Sequence, residues 1–118
     1  MSRNKVLLAD DSPLARDILS RRVEATGLVA LACESAAVAR GEDATDLACA
    51  LLDIDLGDGD GTEVAETLRA TRPDLPVAFF SSAAPEASAR ARTLGPVFAK
   101  PDDLEAAVAW VHNNRPPS

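Results

Sequence analysis

Aspartates crowd into one short stretch of this chain. "LLDIDLGDGDG" (Leu51–Gly61) begins apolar and ends with Asp53, Asp55, Asp58 and Asp60 among Gly57, Gly59 and Gly61. Carboxylates so close repel one another unless a positive charge sits among them. Two more acids, Asp10 and Asp11, follow the apolar run of "LLADDSP". Hydroxyls follow another in "PVAFFSS" (Ser81 and Ser82), and an ammonium follows a fourth in "FAKP" (Lys100). Brought into one cleft, three carboxylates would suit a hard divalent cation. Mg²⁺ is the natural choice, since it takes carboxylates, keeps waters and draws remaining ligands from phosphate. The lysine and a hydroxyl would be left for phosphate oxygens. Such a set fits a carboxylate that attacks a phosphoryl group and becomes an acyl phosphate.

Those residues need a frame that gathers them. Apolar strand patterns read at Lys5–Ala9, Leu28–Ala32, within Leu47–Ile54, at Pro76–Phe80 and at Pro96–Ala99. Helical patterns alternate with them: Pro13–Gly27, a short and weak Ser35–Ala44, Gly61–Pro73, Pro85–Gly95 and Asp102–Asn114. Ser12 suits an N-cap before Pro13, and Leu14, Ile18, Leu19 and Val23 form that helix's apolar face. Asp60 suits the cap of the helix near Gly61, while Asp58 reads as a solvated loop residue. Near-continuous apolar strands between helices imply α/β architecture, with a parallel sheet covered on both faces. In this frame every candidate residue lies at the carboxyl end of a strand, the edge where open parallel sheets bind ligands.

Composition bounds the rest. The 118 residues suffice for one domain, 47% of them apolar, with three Phe, one Trp and no Tyr, so the core is Leu, Val, Ala and Ile. A net charge of −7 argues against direct nucleic-acid binding. Cys33 and Cys49 lack metal-ligand spacing and read as buried reduced thiols. No run is long enough for a signal peptide or a membrane span, which points to the cytosol. The domain is expected over residues 1–114, with 115–118 a tail or the start of a linker.

The four motifs, in this order and spacing on five strand–helix units, resemble the receiver domain of two-component response regulators along the whole chain. The resemblance implies a flavodoxin-like, doubly wound (βα)5 sandwich with strand order 2-1-3-4-5. It implies that Asp53 is the phosphoacceptor and that Asp10 and Asp11 hold Mg²⁺ with it. Asp55 would lend its backbone carbonyl to the ion. Ser81 would turn toward the phosphoryl group, Lys100 would pair with it, and Lys100–Pro101 would be cis. The donor would be a phospho-histidine on a sensor kinase or phosphotransfer protein. Loops after the third and fourth strands would then shift, and the face of the fourth helix, fifth strand and fifth helix would change its downstream partner.

The sequence departs from the family pattern in places. Val97 stands where an aromatic switch residue is usual, and is too short to copy its swing. The neighbouring Phe98 should point to the opposite side, into the core. Ser81 and Lys100 are a few residues closer than usual, so the fourth helix should be short. Gly57 replaces a usual proline, which predicts a looser loop. Asp55's side chain is expected to face the cleft and alter acyl-phosphate lifetime.

Two other readings share the residue list. A phosphohydrolase of the haloacid dehalogenase type would use "DIDLG", Ser81, Lys100 and a late pair, Asp102–Asp103. It would put its nucleophile on the first strand, however, and leave Asp10 and Asp11 idle. A receiver that only docks would carry the same fold without phosphorylation. "DIDLGDGDGTEV" fails as an EF-hand, because Val64 stands in place of its final glutamate.

Overall fold

A computed structural model describes residues 3–116. Five strands form one parallel sheet: β1 (Lys5–Ala9), β2 (Val29–Cys33), β3 (Leu47–Leu52), β4 (Val77–Ser81) and β5 (Val97–Ala99), in the order β2-β1-β3-β4-β5. Five helices alternate with them: α1 (Pro13–Glu24), α2 (Ala36–Arg40), α3 (Gly61–Thr71), α4 (Pro85–Leu94) and α5 (Leu104–Asn113). The expected fold class and strand order are both present. No described helix is long and apolar enough to cross a membrane.

The period-two alternation of strands explains the layering. Along β1, Val6 and Leu8 face one side of the sheet, and Leu7 and Ala9 the other. Val6 and Leu8 meet Leu19, Val23, Cys49, Leu51, Phe80, Ala107 and Val111 beneath α1 and α5. Leu7 and Ala9 meet Leu52, Val64, Leu68, Leu75 and Phe79 beneath α2, α3 and α4. Central strands buried on both faces read as unbroken apolar runs for this reason. Val97 and Phe98 split between the two layers as expected: Val97 packs on the side of α3 and α4, Phe98 on the side of α1 and α5.

Several elements differ from the sequence expectation. The weak second helix ends at Arg40, and a 3₁₀ turn over Ala44–Asp46 carries the chain into β3. Its five helical residues give it too few internal hydrogen bonds to extend on propensity alone. In α1 only Leu19 and Val23 are buried; Leu14 and Ile18 are 69% and 41% exposed. Those two line a shallow apolar groove with Phe80, Pro101 and Leu104 rather than the core. Ser81 closes β4 instead of following it.

The helix ends agree with their residue types. Ser12 accepts from the Ala15 N–H. Asp60 accepts from the Thr62 N–H, and Glu63 reaches back to the Asp60 N–H, which makes a capping box. Gly27 adopts φ +90° just beyond α1, a conformation that favours glycine.

Candidate functional site

The sheet ladder itself delivers the site. Beyond the strand ends, the Asp10 N–H donates to Cys33 O, the Asp53 N–H to Ala9 O and the Lys100 N–H to Ser81 O. These bonds fix Asp10, Asp53, Ser81 and Lys100 at the carboxyl ends of adjacent strands β1, β3, β4 and β5. All four line one open cavity of about 610 Å³, together with Asp11, Asp55 and the small residues Ala83, Ala84 and Ala87. Each sequence-predicted site residue is thus gathered there, except Val97, which packs below α3 and α4.

Asp53 sits at the centre and is buried. One of its oxygens accepts from the Ser81 hydroxyl at 2.8 Å and from the Asp55 N–H at 3.3 Å. The other accepts from Lys100 Nζ at 2.9 Å. Lys100 also donates to Asp10 at 2.6 Å, so one ammonium bridges two carboxylates. Asp10 is 2% exposed and receives the Ser12 N–H on its other oxygen. The ammonium further stands 5.7 Å from the centre of the Phe80 ring.

Two effects compete at Lys100. Burial pulls its pKa down most, and hydrogen bonds and charges from Asp10 and Asp53 together more than reverse that, leaving it raised above the ordinary 10.5. The lysine is therefore a fixed positive charge, and not a proton carrier, throughout the neutral range.

Carboxylate oxygens of Asp10, Asp11 and Asp53 lie within 4.8 Å of one another. This all-oxygen set suits a hard divalent ion. Two oxygens each about 2.1 Å from one Mg²⁺ stand no more than about 4.2 Å apart. The spacing is that of three carboxylates able to share one ion.

The loop from Asp55 to Asp60 is pinned, against the expectation of a loose one. Gly57 adopts φ +82°, and its N–H donates to the Asp55 carboxylate at 3.0 Å. The Leu56 N–H donates to Gly59 O, and Leu56 is buried in the core. Asp58 is exposed, as expected, but it also makes a contact that the expectation lacked. Its carboxylate accepts from the Ala36 N–H at 2.8 Å and the Ala37 N–H at 3.1 Å, at the start of α2. These bonds, the Ala36 one foremost, hold its pKa below the usual 3.8. No short-range signal marks this contact, because the partners lie 22 and 21 residues apart.

Gly61 looks from its sequence only like a helix start, yet it matters to the site. A Cβ there would stand 2.0 Å from the Asp53 carbonyl oxygen, so α3 begins against the backbone of the central aspartate. The Asp102–Asp103 pair stays outside the cavity, and Asp103 instead accepts from the Ala99 N–H. The Lys100–Pro101 bond is cis.

Known structures share this arrangement of elements. A non-phosphorylated HemR receiver domain from Leptospira biflexa superposes with a TM-score of 0.81 at 22% identity, covering 97% of this chain and 98% of that one. A CheY-like response regulator receiver domain protein from Methanospirillum hungatei gives 0.76 at 24% identity, over 94% and 95% of the two chains. A receiver domain protein from Clostridium thermocellum gives 0.76 at 17% identity, over 92% and 94%. No curated protein matches the sequence. The response regulator receiver domain profile matches residues 6–112, nearly the whole chain, and the chain belongs to that family.

Proposed function

We propose that Asp53 is the phosphoacceptor of a two-component signalling pathway. A sensor histidine kinase or histidine phosphotransfer protein presents a phospho-histidine at the open cavity. A carboxylate oxygen of Asp53 attacks phosphorus, an O–P bond forms and the N–P bond breaks. The departing imidazole nitrogen keeps the electron pair and takes a proton from solvent. Hydrolysis of the acyl phosphate later returns Asp53 and inorganic phosphate.

Each neighbour has a distinct part. Lys100 leaves its bridge to Asp53 and pairs with a phosphoryl oxygen. Ser81, already bonded to Asp53, turns its hydroxyl to another. Asp10, Asp11, Asp53 and the backbone carbonyl of Asp55 would hold Mg²⁺. When bound, the ion offsets the charge that builds as one anion approaches another. Transfer then shifts the loops after β3 and β4 and alters what the face of α4, β5 and α5 binds downstream. Val97 supplies no aromatic swing on that face.

The observation that carries this reading is the single buried carboxylate held by both Ser81 and Lys100 beside two further acids. The test is incubation with Mg²⁺ and a small phosphodonor, followed by intact mass. Wild type should gain one phosphate, and Asp53→Asn should gain none. Sustained release of phosphate from small esters would favour the hydrolase instead. No gain with any donor would leave a receiver that only docks.

A further inference from the structure

We propose that Asp58 is a positioning residue for the cation site, bracing the loop after β3 against α2. The inference rests on the Mg²⁺ reading above. Helix α2 is only five residues long, and its own cap, Ser35, satisfies the Val38 N–H. The Ala36 and Ala37 N–H groups are filled from the far side of the loop, by the two oxygens of Asp58. The loop also lies flush on the helix. A Cβ on Gly59 would stand 2.9 Å from the Ala36 Cβ and 3.2 Å from an Arg40 guanidinium nitrogen.

This brace sits between two fixed points of the site. On one side, α2 follows Cys33, whose carbonyl accepts from the Asp10 N–H. On the other, the loop runs back through Gly57 to Asp55, beside the Asp53 that bonds the Asp55 N–H. Asp58 therefore closes a ring from Asp10 through β2's end and α2 to the loop and Asp53. With the brace cut, Asp55 keeps its local bonds and the buried Leu56 beside it, but the loop loses its tie through α2 to the end of β2 and Asp10. A hard ion that demands near-ideal geometry should feel that loss.

Charge must be separated from position, since Asp58 is itself an anion near the site. Ala36→Pro removes the shorter of the two bonds to Asp58, leaves the Ala37 one and leaves the charge. Proline suits the first helical position, and Ser35 before it is already extended, at φ −151° and ψ 164°. Asp58→Ala removes both bonds and the charge, and in 0.5 M salt the exposed charge is largely screened.

The measurement is Mg²⁺ binding by calorimetry on the full chain, with far-ultraviolet circular dichroism to confirm folding. Ala36→Pro, and Asp58→Ala in high salt, should each weaken Mg²⁺ at least fivefold relative to wild type in the same buffer. Wild-type affinity in both variants would overturn the brace while leaving the cation site intact. Should Ala36→Pro fail to fold, Asp58→Ala in high salt decides alone. A wild type that binds no Mg²⁺ would overturn the cation reading itself, and the brace's role in it.

Discussion

Lys100 and Asp55 show how much depends on single groups at this site. Among the described residues Lys100 is the one cation bonded to both Asp10 and Asp53, so its removal leaves buried carboxylates facing one another. Breaking a buried pair in this way typically costs about 3 kcal/mol. Lys100→Met should therefore lower Tm in chelator by roughly 10 °C. Mg²⁺ should raise the variant's Tm more than that of wild type, because the ion replaces the missing charge. Equal Mg²⁺ shifts in thermal melts would refute this. The sign of the pH dependence also follows. A raised lysine pKa gives stabilisation that is complete below the ordinary 10.5 and is lost as pH climbs through the raised value. Asp55 lines the cavity while its carboxylate caps the Gly57 N–H. Asp55→Asn should change the dephosphorylation rate several-fold, in a direct decay assay; identical decay would reject a role for that carboxylate.

Elements meet the site through close approaches. Helix α3 starts at Gly61 because only a residue without a Cβ lets the chain pass the Asp53 carbonyl. The Gly61 N–H in turn donates to Ile54 O at 2.7 Å, which ties the helix start to the strand end. Gly61→Ala would force α3 away from β3. Overpacking of this kind costs about 3 kcal/mol, to be read as a lower urea midpoint at unchanged slope. An unchanged midpoint would mean that the loop absorbs the methyl group. The capping box at Asp60 starts the helix at this same point, so that Gly61 is its first residue.

At the scale of the whole molecule, two apolar layers sandwich the sheet and seal its thiols. Cys33 lies on one side and Cys49 on the other. Burial pushes Cys33 up to about 11, aided by the charge of Glu42, and Cys49 up to about 12 by burial alone. Both should resist a thiol reagent at pH 8 and react only as fast as the chain opens. Rapid labelling of Cys49 in the native protein would show that the layer beneath α1 and α5 is not closed. The surface reflects the acidic composition: pairs such as Arg22–Glu105 and Arg90–Glu66 link α1 to α5 and α3 to α4 at exposed positions, where they add little to stability.

Much of this was legible in the sequence because it depends on local pattern. Unbroken apolar runs fixed the strands, capping residues such as Ser12 and Asp60 fixed helix starts, and strand ends placed Asp10, Asp53, Ser81 and Lys100 on one edge. The motifs then identified the family without coordinates. Tertiary structure alone decided what depends on contacts between distant segments. Leu14 and Ile18 have the right spacing for a buried face, but the sheet beneath α1 reaches only Leu19 and Val23. Asp58 and Gly59 look like parts of a free loop until α2, some 20 residues earlier, lies against it and donates two backbone N–H groups to Asp58. Periodicity reports which face of an element is apolar; it does not report which neighbour meets that face, or which backbone N–H waits there for a carboxylate.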